Sequence, residues 1–174
     1  FKVSKFIKEN YEADKENIIS EYNNRGYRDA KILNDTIYYN TDNTITIEIT
    51  LDEGEPYLFG NINFIGNKKY TNSELLNQLS IDSGDVFNQS ILDSRLFGTP
   101  EGTDISSLYL DNGYLFFNAT PVEVSTTDNI IDLEIRLYEG DQARINKVSV
   151  KGNTKTQDHV IMRELRTRPG DFTN

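Results

Sequence analysis

Apolar residues fall on every second position in two stretches of the chain, Ile45, Ile47, Ile49, Leu51 and Ile131, Leu133, Ile135, Leu137, with Thr, Glu, Asp and Arg in the gaps. That is the period of a strand with one face buried and one wet. A Glu-Gly pair stops each stretch (Glu53-Gly54, Glu139-Gly140), a second apolar run follows, and a Gly-Asn pair stops that one (Gly66-Asn67, Gly152-Asn153). Gly54 to Gly140, Gly66 to Gly152 and Gly84 to Gly170 are each 86 residues apart, and Gly26-Tyr27 to Gly113-Tyr114 is 87. A fixed period of this length marks serial copies of one small domain.

Between these marks the pattern changes to helical spacing. Tyr11, Asp14, Lys15, Ile18, Ile19 and Tyr22 recur at steps of three and four, predicting a helix from Tyr11 to Arg25 that Gly26 closes. Ala30 to Tyr39 is a weak strand, and Asp42-Asn43 turns it into the strong one. In the second run Phe59 is out of phase with Ile62 and Phe64, as Ile145 is with Val148 and Val150, which predicts a bulge in both copies. Thr71-x-x-Glu74 has the form of a capping box ahead of Leu75, Leu76 and Leu79. Ser90 to Phe97 and Ile105 to Asn112 read as helix, separated by the Gly98–Gly102 loop. Phe116 to Ser125 reads as a strand containing Pro121, which cannot donate to a ladder and so belongs at a sheet edge. Asp128-Asn129 turns it into Ile131–Leu137. After Ile145–Val150 a last helix is expected near Gln157 to Arg166.

The expected organisation is a partial unit over 1–55 (helix, strand, strand), a complete unit over 56–140 (strand, helix, helix, strand, strand) and the start of a further unit over 141–174 (strand, helix). Linkers at Gly54–Pro56 and Gly140–Gln142 leave room for limited bending. The cut ends could complete each other between molecules.

Composition narrows the chemistry. The net charge of −10 has no basic cluster beyond Arg163, Arg166 and Arg168, so nucleic acid and anionic lipid are poor partners. The absence of cysteine excludes disulfides and thiol chemistry but no compartment. Acidic pairs such as Asp52-Glu53 and Asp132/Glu134 lie where a half-buried strand carries solvated charge, so catalytic residues are assigned to none. His159 is the one histidine and has no second ligand nearby in sequence; no metal or cofactor is expected. Gly66 to Lys69 lacks phosphate-loop spacing and reads as a turn. Glu53 and Glu139, each at a unit boundary, are expected to accept hydrogen bonds from the next unit's backbone.

With GYRDA (Gly26–Ala30), NGYLF (Asn112–Phe116), the Glu-Gly endings, and the FIGNKKYT and VKGNTKT junctions, the chain resembles the POTRA (polypeptide-transport-associated) domains of BamA-type outer-membrane assembly factors. The resemblance implies an α+β fold of tandem units, each a three-stranded mixed sheet with two helices on one face, in the periplasm ahead of a membrane β-barrel that this chain does not contain. It implies unfolded outer-membrane β-barrel precursors and accessory assembly proteins as partners. On that reading the unpaired edge of the Pro-containing strand, Ala119, Thr120, Pro121, Val122, Glu123, Val124 and Ser125, takes up an extended client as an added strand. The structural marks of the repeat are Gly26, Tyr27, Glu53, Gly54, Gly66, Asn67, Gly113, Tyr114, Glu139, Gly140, Gly152 and Asn153. The alternatives are the corresponding region of a two-partner secretion or translocation-assembly barrel, and a cell-division or adhesion protein using the unit for protein contacts.

Overall fold

A computed structural model describes residues 7–152, 155 and 157–172. Phe1–Phe6, Asn153, Thr154 and Thr156 of the expected marks and junctions lie outside them. Among the described residues the elements run α1 (Lys8–Asn24), β1 (Lys31–Tyr39), β2 (Ile45–Asp52), β3 (Leu58–Ile65), α2 (Asn72–Leu79), α3 (Gln89–Phe97), α4 (Ile105–Leu110), β4 (Asn118–Thr127), β5 (Ile130–Tyr138) and α5 (Asp158–Glu164). The strands form a two-stranded sheet β1-β2 and a three-stranded sheet in the order β3-β5-β4. β5 is central, which is why its alternate side chains Ile131, Leu133, Ile135 and Leu137 are all buried. The β3 and β5 neighbours climb together, Leu58 N–H on the Asn129 carbonyl, Gly60 beside Ile131 and Gly66 beside Leu137. The pair is therefore parallel beside the antiparallel β4–β5 hairpin, and the sheet is mixed.

The chain divides into two compact units that do not coincide with the repeats: Phe1–Asn63 with Ile81–Asp93 and Val122–Glu134, and Phe64–Ser80 with Ser94–Pro121 and Ile135–Asn174. Each joins the end of one repeat to the beginning of the next. In the first, Tyr57 N–H donates to the Gly26 carbonyl (2.8 Å), Phe59 N–H to Asp85 O (2.8 Å) and Gly84 N–H to Phe59 O (2.7 Å). In the second the same bonds recur one period on: Ala143 N–H to Gly113 O (2.7 Å), Ile145 N–H to Asp171 O (2.8 Å) and Gly170 N–H to Ile145 O (2.7 Å). Helix closure repeats as well, Tyr27 N–H returning to Tyr22 O and Tyr114 N–H to Tyr109 O, with the paired rings edge-on at 5.8 and 5.7 Å.

Local chemistry accounts for most element ends. Thr71 and Glu74 form the reciprocal capping box that starts α2. Asp104, fully buried, caps α4 by accepting from Ser107 N–H (2.9 Å), and its other oxygen takes Thr99 N–H (3.1 Å) and the Ser107 hydroxyl (2.8 Å). The Gly98–Gly102 loop that Asp104 pins splits the second helix of the complete repeat into α3 and α4, whereas α1 runs unbroken for 17 residues. Leu75, Leu79, Leu96, Ile105 and Tyr109 then form the helical side of the second unit's core. Burial of each such aliphatic side chain stabilises the fold by roughly 2 kcal/mol.

Two expectations are corrected and a third is met in the first copy. The Ile145–Val150 strand does not form; Arg144 makes only an isolated bridge to Phe172. β3 is held in place by β5, and among the described residues no strand lies beside Ile145–Val150. The phase change in the first copy is present, since Phe59 and Phe64 are both buried. It falls where Asn61 N–H turns to the Asp132 carboxylate (2.6 Å). Finally, the Asp42-Asn43 turn has positive φ at Asn43 (61°) alone, because the Asp42 carboxylate holds Thr44 N–H (3.1 Å) in a longer loop, whereas Asp128 (50°) and Asn129 (61°) both adopt it.

Candidate functional site

The Asp128-Asn129 turn sets the geometry of β4. A two-residue loop with both φ positive makes its flanking residues, Thr127 and Ile130, a hydrogen-bonded pair. Ser125 is then opposite Asp132, which the Ser125 hydroxyl reaches at 2.7 Å. That bond and the Asn61 N–H hold the Asp132 carboxyl below its usual range. Alternation turns the N–H and C=O groups of Val122, Val124 and Thr126 away from β5, toward the side where no strand lies. Pro121 is near one end of this border. In β1 the register slips between Ile32, opposite Leu51, and Asn34, opposite Thr50. By the repeat offset Ile32, Leu33 and Asn34 correspond to Ala119, Thr120 and Pro121, and Ala119 is buried; a Pro at an edge strand is tolerated. Glu123 lies on the other face in a bidentate pair with Arg28 (2.8 and 3.0 Å), while Val124 is exposed.

β1 is a second edge. Between it and α1 lies an open groove of about 600 Å³ lined by Ile19, Asn23, Ile32 and Leu33, with Lys15 and Asp35 at its polar end. Lys15 bonds Asp35 at 3.2 Å and, with Tyr11, holds that carboxyl below its usual range. The Leu33 bulge and the groove were not foreseen; the alternation of β1 is too weak to show either. Edge bulges of this kind limit uncontrolled pairing.

The remaining predicted residues are structural. One oxygen of buried Glu139 accepts from Lys68 N–H (2.8 Å), Lys69 N–H (2.9 Å) and the Tyr109 hydroxyl (2.8 Å). Burial pushes the Glu139 carboxyl up, but the two backbone donors and the hydroxyl outweigh it and leave the group below its ordinary value. Burial, then the bond to Glu139, pushes Tyr109 far above the usual phenol range. These donors belong to the same repeat as Glu139, which corrects the expectation of a bond to the next one. They also leave the Lys68 and Lys69 amides no part in a phosphate loop. Glu53 accepts from the counterpart hydroxyl, Tyr22 (3.0 Å). Asn67 caps its own turn through Tyr70 O (2.9 Å), and Gly26, Gly54, Gly66, Gly113, Gly140 and Gly152 all have positive φ. His159 is exposed on α5. Among the described residues no acidic or histidine cluster is arranged to hold a metal ion, and no helix is long and apolar enough to cross a membrane.

A strand, helices and a hairpin closing a mixed sheet, written more than once along the chain, define a tandem-repeat α+β protein. The family described as "POTRA: Surface antigen variable number repeat" matches residues 3–54, 57–140 and 143–174, and the chain belongs to it. A putative outer membrane protein assembly factor of Treponema pallidum is 29% identical over 178 residues, covering 98% of this chain and 20% of that protein. The outer membrane protein assembly factor BamA of Nitratidesulfovibrio vulgaris is 32% identical over 156 residues, covering 86% and 19%. This chain thus spans about a fifth of the length of these relatives. The crystal structure of Haemophilus influenzae BamA POTRA3-5 shares the fold, with a TM-score of 0.52 and 22% identity over 99% of this chain and 66% of that one.

Proposed function

We propose that this chain is part of the periplasmic arm of an outer-membrane β-barrel assembly factor, a non-enzymatic scaffold that receives unfolded barrel precursors and docks accessory assembly proteins. The client is held as an added strand along Ala119–Ser125. The observation that carries this reading is the outer border of β4, where the main-chain groups of Val122, Val124 and Thr126 face no other strand. Main-chain bonding accepts many sequences, which suits a receiver of varied clients. β1, with a mixed polar and apolar groove beside it, is a second edge whose bulge limits such pairing. The assembly-factor relatives support the setting.

Proline substitution separates the two sides of β4. Val124→Pro removes an outward donor and leaves the ladder to β5 whole, so photo-crosslinking to an unfolded barrel precursor should fall about tenfold, the worth of one hydrogen bond, with the thermal midpoint nearly unchanged. Ser125→Pro removes an inward donor and should lower the midpoint instead. Unchanged crosslinking in a folded Val124→Pro variant removes strand addition at this edge.

A further inference from the structure

The two repeat junctions share backbone geometry but differ in side-chain chemistry. At the first, Arg28 forms its bidentate pair with Glu123 and lies over the Tyr57 and Phe87 rings (5.8 and 5.5 Å), while Asp29 accepts from the Tyr57 hydroxyl (2.8 Å). The seat that receives the following repeat is thus ionic and aromatic. By the 87-residue offset that relates Gly26 to Gly113, Leu115 stands for Arg28 and Phe116 for Asp29. The backbone agrees: Gly54 faces the Asp29 Cβ (3.5 Å from an ideal Cβ) as Gly140 faces the Phe116 Cβ (3.3 Å). Ala143, with no hydroxyl, stands for Tyr57. At this second seat Leu115 is 50% exposed, Phe116 72% and Tyr138, which also flanks Gly140, 66%.

We propose that Leu115, Phe116 and Tyr138 form the docking surface for the hairpin of a third copy of the repeat, carried further along the same polypeptide, and that this seat is apolar where the first is ionic. The occupant follows from the first junction. There the residue that covers Arg28 is Glu123, on the fourth strand and 95 residues further on. Its counterpart in a third copy would stand 86 residues beyond Glu123, and the relatives are about five times as long as this chain. Large apolar groups clustered in the open mark an interaction surface, and one period earlier Arg28, the counterpart of Leu115, is already paired with Glu123 of the next repeat's hairpin. The inference is independent of strand addition at β4.

The test is the maleimide labelling rate of Phe116→Cys, read at that peptide by mass spectrometry, in the 174-residue chain, which has no cysteine of its own, and in a polypeptide that continues through a complete third copy of the repeat. Leu115→Cys is a second probe should the first disturb folding, and exposed Tyr39→Cys is the control. The expected result is fast labelling in the short chain, at least tenfold slower labelling in the long one, and no difference at Tyr39→Cys. Equal rates at both probes overturn the proposal. Slowing that appears only when an unfolded barrel precursor is added overturns it as well, since the surface would then be a client site.

Discussion

Replacing Glu139 with Ala should destabilise the protein by about 2–3 kcal/mol, because two backbone amides and a buried tyrosine hydroxyl lose their one shared acceptor. For a repeat of this size that lowers the thermal midpoint by about 10 °C or more. Glu139→Gln keeps an oxygen in the same position and should lose far less. Tyr109→Phe removes one donor of the three and should fall between. Glu53→Ala, by contrast, should cost far less: among the described residues Glu53 receives the Tyr22 hydroxyl, at an exposed site. The pH dependence distinguishes charge from shape. Since the folded-state value of Glu139 is below the ordinary 4.5, its contribution is fully present above that pH and is lost as pH falls through the folded value. Glu139→Gln should therefore flatten the acid limb of a stability–pH curve by up to about 1.4 kcal/mol per pH unit, one proton's worth. Equal acid sensitivity in the two proteins would contradict this.

Gly66→Ala should be at least as damaging, about 3 kcal/mol or more, for an unrelated reason. Gly66 has φ +91°, a conformation that strains any side chain, and an added Cβ would overlap the Leu137 carbonyl. That carbonyl belongs to central strand β5, so it has little freedom to yield. The same turn presents Lys68 and Lys69 N–H to Glu139, and Gly66→Ala combined with Glu139→Ala should cost less than the two separate losses together. At Gly152, one period on, nothing lies within 4 Å of the added Cβ, and only the backbone strain should remain. Urea unfolding curves of the four variants check this order.

The repeat was legible because its punctuation is conformational. Glycines at Gly26, Gly54, Gly66 and their counterparts are held at positive φ, and few other residues can stand there, so the fold leaves letters at a fixed period. Strand phase was legible for the same reason in β5, whose two neighbours enforce strict alternation. β1, with one neighbour, carries an irregularity at Leu33 that alternation could not locate. The direction of the Glu139 bonds was misread because a residue at a boundary can reach either way along the chain, and only three-dimensional placement of the Lys68-Lys69 turn decides. The Arg28–Glu123 pair joins residues 95 apart with no periodic signal, and the Arg28-to-Leu115 exchange that distinguishes the two junctions acquires meaning only when the first contact is seen. The β4 edge itself was legible from Pro121, though the side of each amide required the turn geometry at Asp128-Asn129.

Amide hydrogen exchange along β4, residue by residue, with and without an unfolded barrel precursor, tests the strand-addition reading most directly. Pairing with an added strand should slow Val122, Val124 and Thr126 at least tenfold while leaving Glu123 and Ser125, already bonded to β5, as they were. Client binding that leaves those three amides exchanging at their free rate would show that capture occurs elsewhere on the molecule.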